Sequence, residues 1–297
     1  MRPACAKLFA MFPSRAARSA FPALFFAATF PLIFPLTHAR AADKPPAAAV
    51  PIVIELFTSE GCSSCPPADL FVQKLDTYQP IQGAQLIVLS EHVTYWDQQG
   101  WKDPNSSAAL TERQSSYEGE LGQKEVFTPQ MIINGNQQVS LENPQHIQDV
   151  LEKERTDPRI PVRITSLTVD PQNPSLLRAH VETDVNSGKH NADVYVALAL
   201  DHVESQVLRG ENGGKHLVHV GVVQQLTKVG KLSKGKSFSD DVQVKLKPGE
   251  DPKNLRLVAF VQESGPGKLL GAAKLDPLTN RSFDHEPEGT IHDKSIR

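Results

Sequence analysis

Two cysteines three positions apart, Cys62 and Cys65, are the residues whose type and spacing most directly indicate chemistry. They lie in the segment FTSEGCSSCPPADLF, residues 57–71, in front of two prolines and an apolar run. A CxxC pair can carry out thiol–disulfide exchange, supply two thiolate ligands to a metal ion, or form a structural disulfide. The structural interpretation is the least favoured, because a bridge across so short a loop removes little entropy from the unfolded chain.

The third cysteine, Cys5, belongs to an N-terminal segment that is typical of a secretory signal. Four basic residues and no acidic residue precede an apolar run over residues 21–36, and small residues follow it. A membrane anchor is disfavoured because the run is shorter than the ~20 residues that span a bilayer and contains prolines. We predict a signal peptide over residues 1–41, a periplasmic or secreted protein, and no stable membrane anchor. After cleavage, Cys62 and Cys65 are the only thiols, in a compartment where disulfides persist.

Predicted strands and helices alternate around the cysteine pair. They are buried strands over residues 51–58 and 85–93, helices over 66–78 and 106–121, a strand that turns at Asn134-Gly135 into a hairpin, and a helix that begins at Asn143. This order predicts an α/β domain over residues 51–157, preceded by a linker over residues 42–50. Cys62 is expected at the N-terminus of the first helix, where unpaired N–H groups and the helix dipole favour a thiolate. Cys65, one turn further on, is then the resolving cysteine.

After Pro161 the pattern changes to short strands without helices. The six strand-like segments, each bounded by Pro, Gly, Asn or Asp, cover residues 163–170, 176–185, 193–203, 216–226, 237–246 and 255–264. Regular short strands with such turns predict an all-β, sandwich-like domain over residues 161–280. The polar residues 281–297 are expected to form a flexible tail.

The composition narrows the class of partner. The chain has 297 residues, a net charge of −3, 22% charged residues and 39% hydrophobic residues, which is typical of a globular protein. Because there is no basic excess, nucleic acid is not expected as a partner.

Five segments together resemble a family of uncharacterised secreted thioredoxin-like proteins that is catalogued as a domain of unknown function. They are ELFTSEGCSSCPPAD, EHVTYWDQQGWKD, TERQSSYEGEL, VFTPQMIING and RGENGGKHLVHVGVV, and they extend from about residue 52 to residue 223. The resemblance implies that the N-terminal α/β domain is thioredoxin-like and carries the CxxC pair, and it brings no established activity or substrate. It also implies that Pro129, after Thr128, is a cis-proline against the pair, beside a strand edge that is open to an extended substrate.

Glu55 is a candidate supporting residue on the first predicted strand. If its side of the strand is buried, its carboxylate is placed to exchange protons with Cys65. If it lies at the rim of the sheet, Glu55 is a solvated charge, and the cost of an unpaired buried acid favours this second interpretation. Arg113, on the second predicted helix, and Glu60 are both expected to face solvent.

His92 and Trp96 are candidates because they follow the second predicted strand, at the carboxyl end where ligands of α/β sheets bind. His92 would stabilise a thiolate, and Trp96 would join an aromatic platform over the cysteines. Alternatively, the aromatic residues pack this loop onto the domain and His92 is a surface residue. The glycine-rich segment over residues 209–215 similarly has two interpretations, an anion-binding loop or, more often for such a sequence, a hairpin turn.

The leading functional hypothesis is an exported thiol–disulfide oxidoreductase without a cofactor or resident metal ion, whose partners are protein thiols or disulfides. Cys62 would form a mixed disulfide with the partner and Cys65 would resolve it. The alternative is a binding protein in which the pair holds a soft metal such as Cu(I), with His92, His216 and His219 as further ligands if the fold gathers them. A third possibility is a non-catalytic module in which the CxxC disulfide is idle.

Overall fold

The computed structural model describes residues 48–276. The predicted signal peptide, the predicted tail and most of the predicted linker lie outside these residues. Within residues 48–276, no helix combines the length and apolarity needed to cross a bilayer.

Three α-helices and eleven β-strands make up the described chain. In order they are β1 (Val50–Thr58), α1 (Pro66–Tyr78), β2 (Ala84–His92), α2 (Ala108–Leu121), β3 (Gln130–Ile133), β4 (Gln137–Val139), α3 (Pro144–Glu154), β5 (Val162–Val169), β6 (Leu176–Thr183), β7 (Ala192–Gln206), β8 (His216–Leu232), β9 (Phe238–Lys245), β10 (Leu255–Glu263) and β11 (Leu269–Leu275). A short 3₁₀-helix, Pro252–Asn254, precedes β10.

Strands from both halves of the chain join one mixed sheet. Its eight strands follow the order β11-β10-β7-β8-β2-β1-β3-β4, and β5, β6 and β9 form a second, antiparallel sheet. The predicted fold class, an α/β thioredoxin-like N-terminal domain followed by an all-β, sandwich-like C-terminal domain, is therefore wrong. Four strands of the C-terminal half continue the sheet that the N-terminal half begins, which gives a mainly β structure with few helices.

The two halves of the large sheet meet where β8 pairs in parallel with β2. Ser90 is the partner of Val222, and the Ser90 hydroxyl donates to the carbonyl of Val220 at 2.8 Å. Gly221 between them has a φ of +60°, and a Cβ at this position would lie 2.3 Å from the carbonyl oxygen of Val88. The join therefore depends on a residue without a side chain. Because it pairs strands that are distant in sequence, no local pattern indicates it.

The central strand β1 is buried on both faces. Ile52, Ile54 and Leu56 face α1 and belong to one core, whereas Val53 and Phe57 face α2 and belong to two others. A strand that is covered on both sides has a nearly continuous apolar sequence, and the sequence of β1, VPIVIELFT, has this form. A further core lies between the three-stranded sheet and strands β7 and β10 of the large sheet.

Several locally encoded elements are confirmed. Asn134 and Gly135 form the turn between β3 and β4 with φ values of 47° and 72°, as an Asn-Gly hairpin requires. Asn143 caps α3 by accepting from the backbone N–H of His146. Strands β5 to β10 coincide with the six predicted segments. Strand β11 has no predicted counterpart, because its sequence LLGAAKL lacks the β-branched residues that indicate strands.

A buried arginine on β10 ties α1 to the C-terminal half. The guanidinium of Arg256 donates to both carboxylate oxygens of Asp76 on α1, at 2.9 Å each, and also to Asp201 on β7. A bidentate arginine–carboxylate pair fixes the relative orientation of its two elements. Helix α1, which carries the cysteine pair at its start, is thereby held by both halves of the chain.

Candidate functional site

Cys62 and Cys65 form a disulfide at the start of α1, with their Cα atoms 5.4 Å apart. Cys65 is the N-cap of the helix, and its carbonyl accepts from the N–H groups of Ala68 and Asp69 at 2.8 and 3.1 Å. Residues 66–67 are prolines and have no N–H to donate. The pair lies at the start of α1 as predicted, but Cys65 and not Cys62 is at the helix N-terminus, because the helix begins at Pro66. However, the first turn of α1 leaves no free N–H group for a thiolate, so only the helix dipole favours the anion.

Both cysteines are fully buried, with 0% of each residue exposed. Ser63 and Ser64 between them are exposed, so the chain reaches the surface at this point while the sulfurs do not. The loop between β7 and β8, residues 207–215, contacts this segment, and we call it the covering loop.

The covering loop is bonded directly to the cysteine segment. The side-chain amide of Asn212, which is itself buried, donates to the main-chain carbonyls of Glu60 and Cys62 at 2.9 Å each. The carboxylate of Glu211 accepts from the backbone N–H of Ser63 at 3.2 Å. Because two of these three bonds replace backbone partners that a buried peptide group needs, the loop is an integral part of the site.

The covering loop also packs against the loop that follows β2. Gly210 has a φ of +74°, and a Cβ there would lie 3.1 Å from the Cβ of Trp101. The indole N–H of Trp101 in turn donates to the carboxylate of Glu60 at 2.7 Å. The hairpin interpretation of the glycine-rich segment is confirmed, since it joins the antiparallel strands β7 and β8. The prediction that Glu60 faces solvent is wrong, because this residue is completely buried.

Five buried ionisable residues, two of which flank the cysteine pair in the sequence, form a group that we call the buried polar cluster: Glu60, Asp69, His92, Asp103 and His219. The Nδ1 atom of His92 lies 2.7 Å from Oδ2 of Asp103, which also accepts from the backbone N–H of Glu60 at 2.9 Å. Burial acts to raise the pKa of Asp103, but His92 and the backbone donors outweigh it and lower this pKa to about 2. Burial acts to lower the pKa of His92, but Asp103 outweighs it and raises the pKa. His92 is therefore one half of a buried ion pair and is not a surface residue.

The second half of the buried polar cluster connects α1 to β8. The rings of His92 and His219 make an edge contact, with centroids 4.8 Å apart. Nδ1 of His219 lies 3.6 Å from Oδ1 of Asp69, which also accepts from the hydroxyl of Thr58 at 2.9 Å. Five atoms of the cluster have no hydrogen-bond partner within the described residues: Glu60 Oε1, Asp69 Oδ2, His92 Nε2, and both ring nitrogens of His219. Such unsatisfied buried groups are costly, and they concentrate at functional sites.

Glu55 lies on the opposite face of the sheet from α1. Its carboxylate accepts from Arg113 Nε at 2.6 Å and from the hydroxyl of Tyr117 at 2.7 Å, and all three side chains are buried. Glu55 therefore cannot exchange protons directly with Cys65, and the prediction that Arg113 faces solvent is wrong. The same arginine lies 3.4 Å from Glu91, whose pKa is raised well above its usual value because burial outweighs the attraction of Arg113.

Thr128 and Pro129 lie beside the cysteine segment and are joined by a cis peptide bond, as the family resemblance implied. The indole N–H of Trp96 donates to the hydroxyl of Thr128 at 2.7 Å. The Cβ of Trp96 lies so close to Gly61 that a Cβ added there would be 3.1 Å away. Trp96 therefore links the residue before Cys62 to the residue before Pro129. It is an internal bridge more than an open aromatic platform.

A groove of about 570 Å³ opens next to this bridge. Its lining residues are Leu56, Ser64, Pro67, Phe127, Pro129, Met131 and residues 138–142. The walls are thus the start of α1, the segment before β3, and β4 with the residues that follow it. Phe127 is 42% exposed at its edge. An apolar groove with a few polar groups is the usual form of a binding site for a small molecule or a peptide side chain.

Comparison with known proteins places this arrangement in a family. A family model described as a protein of unknown function (DUF1223) matches residues 53–262. The chain belongs to this DUF1223 family. The match covers the cysteine pair, the buried polar cluster and the covering loop, so all three lie within the DUF1223 region.

Solved structures support the fold of this DUF1223 chain. The crystal structure of protein AGR_C_4864 from Agrobacterium tumefaciens is 28% identical, with a TM-score of 0.58, and the match covers 77% of this chain and 95% of that chain. A domain of the outer membrane lipoprotein Omp28 from Porphyromonas gingivalis is 14% identical, with a TM-score of 0.26, and covers 40% of this chain and 88% of that chain. The second likeness is too low to carry an argument. A search of curated proteins found no match.

Of the three histidines considered as further ligands for Cu(I), the structure brings His92 and His219 into contact but leaves His216 apart. His216 is exposed and its Nε2 lies 3.1 Å from Glu204, whereas His219 is buried next to Asp69. Among residues 48–276, no three His, Cys, Asp or Glu side chains are arranged to hold a metal ion.

Sequence reasoning missed Asp69, Asp103 and Asn212 of the DUF1223 site, and it considered His219 only as a possible metal ligand. Asp69 had a usable signal, since it follows Cys65 by four positions on one predicted helix and therefore shares its face. The other three come from a loop or from β8. Only the pairing of β8 with β2 brings Asn212 and His219 to the cysteines.

Proposed function

We propose that this DUF1223 protein is an exported thiol–disulfide oxidoreductase. The observation that carries the proposal is the Cys62–Cys65 disulfide at the start of α1, beside buried unsatisfied ionisable groups and a groove. A disulfide that spans only two intervening residues contributes little to stability. Its occurrence close to buried ionisable residues therefore favours a chemical role. The predicted export is in keeping with this role, because an exchangeable disulfide persists outside the cytoplasm.

The reaction would begin at Cys62, which adjoins the exposed Ser63. A partner thiolate attacks the sulfur of Cys62, the Cys62–Cys65 bond breaks, and Cys65 leaves as a thiolate. A second thiol of the partner then displaces Cys62, so that the partner becomes a disulfide and the pair becomes two thiols. The reverse sequence reduces a partner disulfide.

Access to the sulfur of Cys62 requires movement of the covering loop. In the closed arrangement both cysteines are buried, and Asn212 and Glu211 hold the loop on the cysteine segment. Loops open at lower free-energy cost than core strands. We propose that a partner or a spontaneous opening displaces this loop before exchange.

The partner class is a protein thiol or disulfide in an extended segment. The groove beside Pro129 runs along Ser64 and Pro67 at the start of α1, and Phe127 offers an apolar edge. These features suit a peptide whose cysteine lies next to an apolar side chain.

The test is catalysis of insulin reduction by the purified protein, together with a count of free thiols before and after treatment with a reductant. Cys62→Ser should abolish activity, and Cys65→Ser should accumulate a mixed disulfide that mass spectrometry detects. Ser63→Ala is the matched control and should remain active. Full activity of the Cys62→Ser variant would disprove the proposal. A pair that the reductant reduces but that exchanges with no protein thiol or disulfide would also disprove it.

A further inference from the structure

The site has to remove a proton from a sulfur that is buried in the closed structure. Whenever the Cys62–Cys65 bond re-forms from a mixed disulfide, the thiol of Cys65 must lose its proton before its sulfur attacks. Both cysteines are completely buried, and the first turn of α1 has no free N–H group to stabilise the thiolate. An internal proton acceptor next to Cys65 would meet this need.

Asp69 has the position of such an acceptor. It follows Cys65 by four residues, and its backbone N–H donates to the carbonyl of Cys65 at 3.1 Å. Residues four apart on a helix are neighbours on one face, about 5–6 Å between Cβ atoms. Asp69 is 4% exposed, and its Oδ2 atom has no hydrogen-bond partner within residues 48–276. One carboxylate oxygen is therefore free to accept a proton.

The groups around Asp69 contact its other carboxylate oxygen. The hydroxyl of Thr58, at the end of β1, donates to Oδ1 at 2.9 Å. His219 on β8 lies 3.6 Å from the same oxygen and stacks edge-on against His92 from β2. The remaining charged members of the buried polar cluster, Glu60 and Asp103, are engaged by Trp101 and by His92 respectively.

We propose that Asp69 is the catalytic base for Cys65, with His219 as its positioning residue, an inference that rests on the proposed function. In the resolving step the proton passes from the Cys65 thiol to Oδ2 of Asp69, directly or through one water molecule. The Cys65 thiolate attacks the sulfur of Cys62, the Cys62–Cys65 bond forms, and the partner leaves as a thiolate. No other oxidant or reductant is needed, since the mixed disulfide supplies the electron acceptor.

The two steps can be observed separately with the reduced protein and 5,5′-dithiobis(2-nitrobenzoate). Attack by Cys62 releases the first equivalent of chromophoric thiolate, and resolution by Cys65 releases the second. Asp69→Asn should leave the first phase unchanged and slow the second by roughly 100-fold, the usual contribution of a general base. His219→Gln should slow the second phase less and shift its pH midpoint. His216→Gln, an exposed position on the same strand, should change neither phase.

A second variant keeps the test decisive if Asp69→Asn fails to fold. Thr58→Val removes the hydroxyl that stabilises the carboxylate and should move the pH midpoint of the second phase to higher pH. If the second phase is as fast in Asp69→Asn as in the wild type, or if Thr58→Val leaves its pH profile unchanged, the inference is wrong. Absence of the first phase in the wild type would instead overturn the proposed function.

Discussion

The side-chain amide of Asn212 donates a hydrogen bond of 2.9 Å to the main-chain carbonyl of Cys62, across 150 positions of sequence. A residue of the C-terminal half thus completes the hydrogen bonding of the cysteine segment in the N-terminal half. The same amide bonds the carbonyl of Glu60. The segment that carries the disulfide is therefore bonded to a loop that belongs to neither α1 nor its flanking strands.

Asn212→Ala should accelerate reduction of the disulfide by dithiothreitol. Each neutral hydrogen bond contributes about 1 kcal/mol, so loss of both bonds favours opening of the covering loop by about 2 kcal/mol. This corresponds to a rate increase on the order of 30-fold if opening precedes reduction. Quenched thiol counting over time measures the rate. Arg209→Ala, an exposed position in the same loop, serves as the control, and equal rates for the two variants would contradict a covering role for Asn212.

The ion pair of Asp103 and His92 should produce a dependence of stability on pH. The pKa of Asp103 is lowered from 3.8 to about 2 in the folded protein. A carboxylate of this kind adds stability above its unfolded pKa and loses it as the pH falls through the folded pKa. The wild type should therefore lose about 2 kcal/mol more unfolding free energy than Asp103→Asn between pH ~4 and pH ~2.

The histidine of this pair should show the opposite sign. Because the pKa of His92 is raised above 6.5, its contribution is complete below that pH and is lost as the pH rises through the folded pKa. Urea unfolding of the wild type, Asp103→Asn and His92→Gln measures both effects when it is followed from acidic pH, where Asp103 titrates, to pH values above 6.5, where His92 titrates. A free-energy difference between wild type and variant that stays constant with pH would refute the ion pair.

Arg256→Ala should destabilise the protein strongly. It leaves the carboxylate of Asp76, whose side chain is 11% exposed, without its bidentate partner, and breaking a largely buried pair costs about 3–5 kcal/mol. Arg155→Ala is the matched control, because Arg155 and Glu152 form an exposed pair whose loss costs about 0–1 kcal/mol. Denaturant unfolding compares the two, and similar losses for both variants would show that the link between α1 and β10 contributes little.

Gly221→Ala should disrupt the pairing of β2 with β8. The added Cβ would lie 2.3 Å from the carbonyl oxygen of Val88, in a residue with φ of +60°. Gly235→Ala separates the cost of the left-handed backbone from the cost of the steric clash. Gly235 has a φ of +72°, but no atom lies within 4 Å of its added Cβ. Left-handed backbone alone costs about 1–2 kcal/mol, so Gly221→Ala should cost clearly more than Gly235→Ala. Equal unfolding free energies for the two variants would exclude close strand packing at Gly221.

The parts of the structure that depend on local sequence could be predicted. The apolar run of β1, the Asn134-Gly135 turn, the Asn143 cap and the position of Cys65 at the start of α1 all follow from neighbouring residues. The fold class was wrong because it depends on Gly221 reaching β2, and a single parallel contact between distant strands leaves no periodic signal. Sequence reasoning also expected free N–H groups at the start of α1, although residues 66–67 are prolines.

In the candidate site, too, the features that depend on local sequence could be predicted and those that depend on distant contacts could not. Cys62, Cys65, Thr128, Pro129 and Trp96 come together as a local strand–helix pattern and a family resemblance suggest. Side chains whose role depends on which sheet face is covered could not be assigned from alternation alone. Glu55 illustrates this. Its burial is one of the two alternatives that the sequence leaves open, but its partner Arg113 lies on a helix where that arginine is predicted to face solvent.

The parallel contact between Ser90 and Val222 has a consequence for biosynthesis. Strand β2 leaves the ribosome long before β8, since the bond from Ser90 to Val220 spans 130 positions. During that interval a central strand of the finished sheet has an open edge, which is a template for pairing with other chains. A nascent chain that stalls before residue 207 would therefore be prone to aggregate, and it would also lack the loop that is bonded to its cysteine segment.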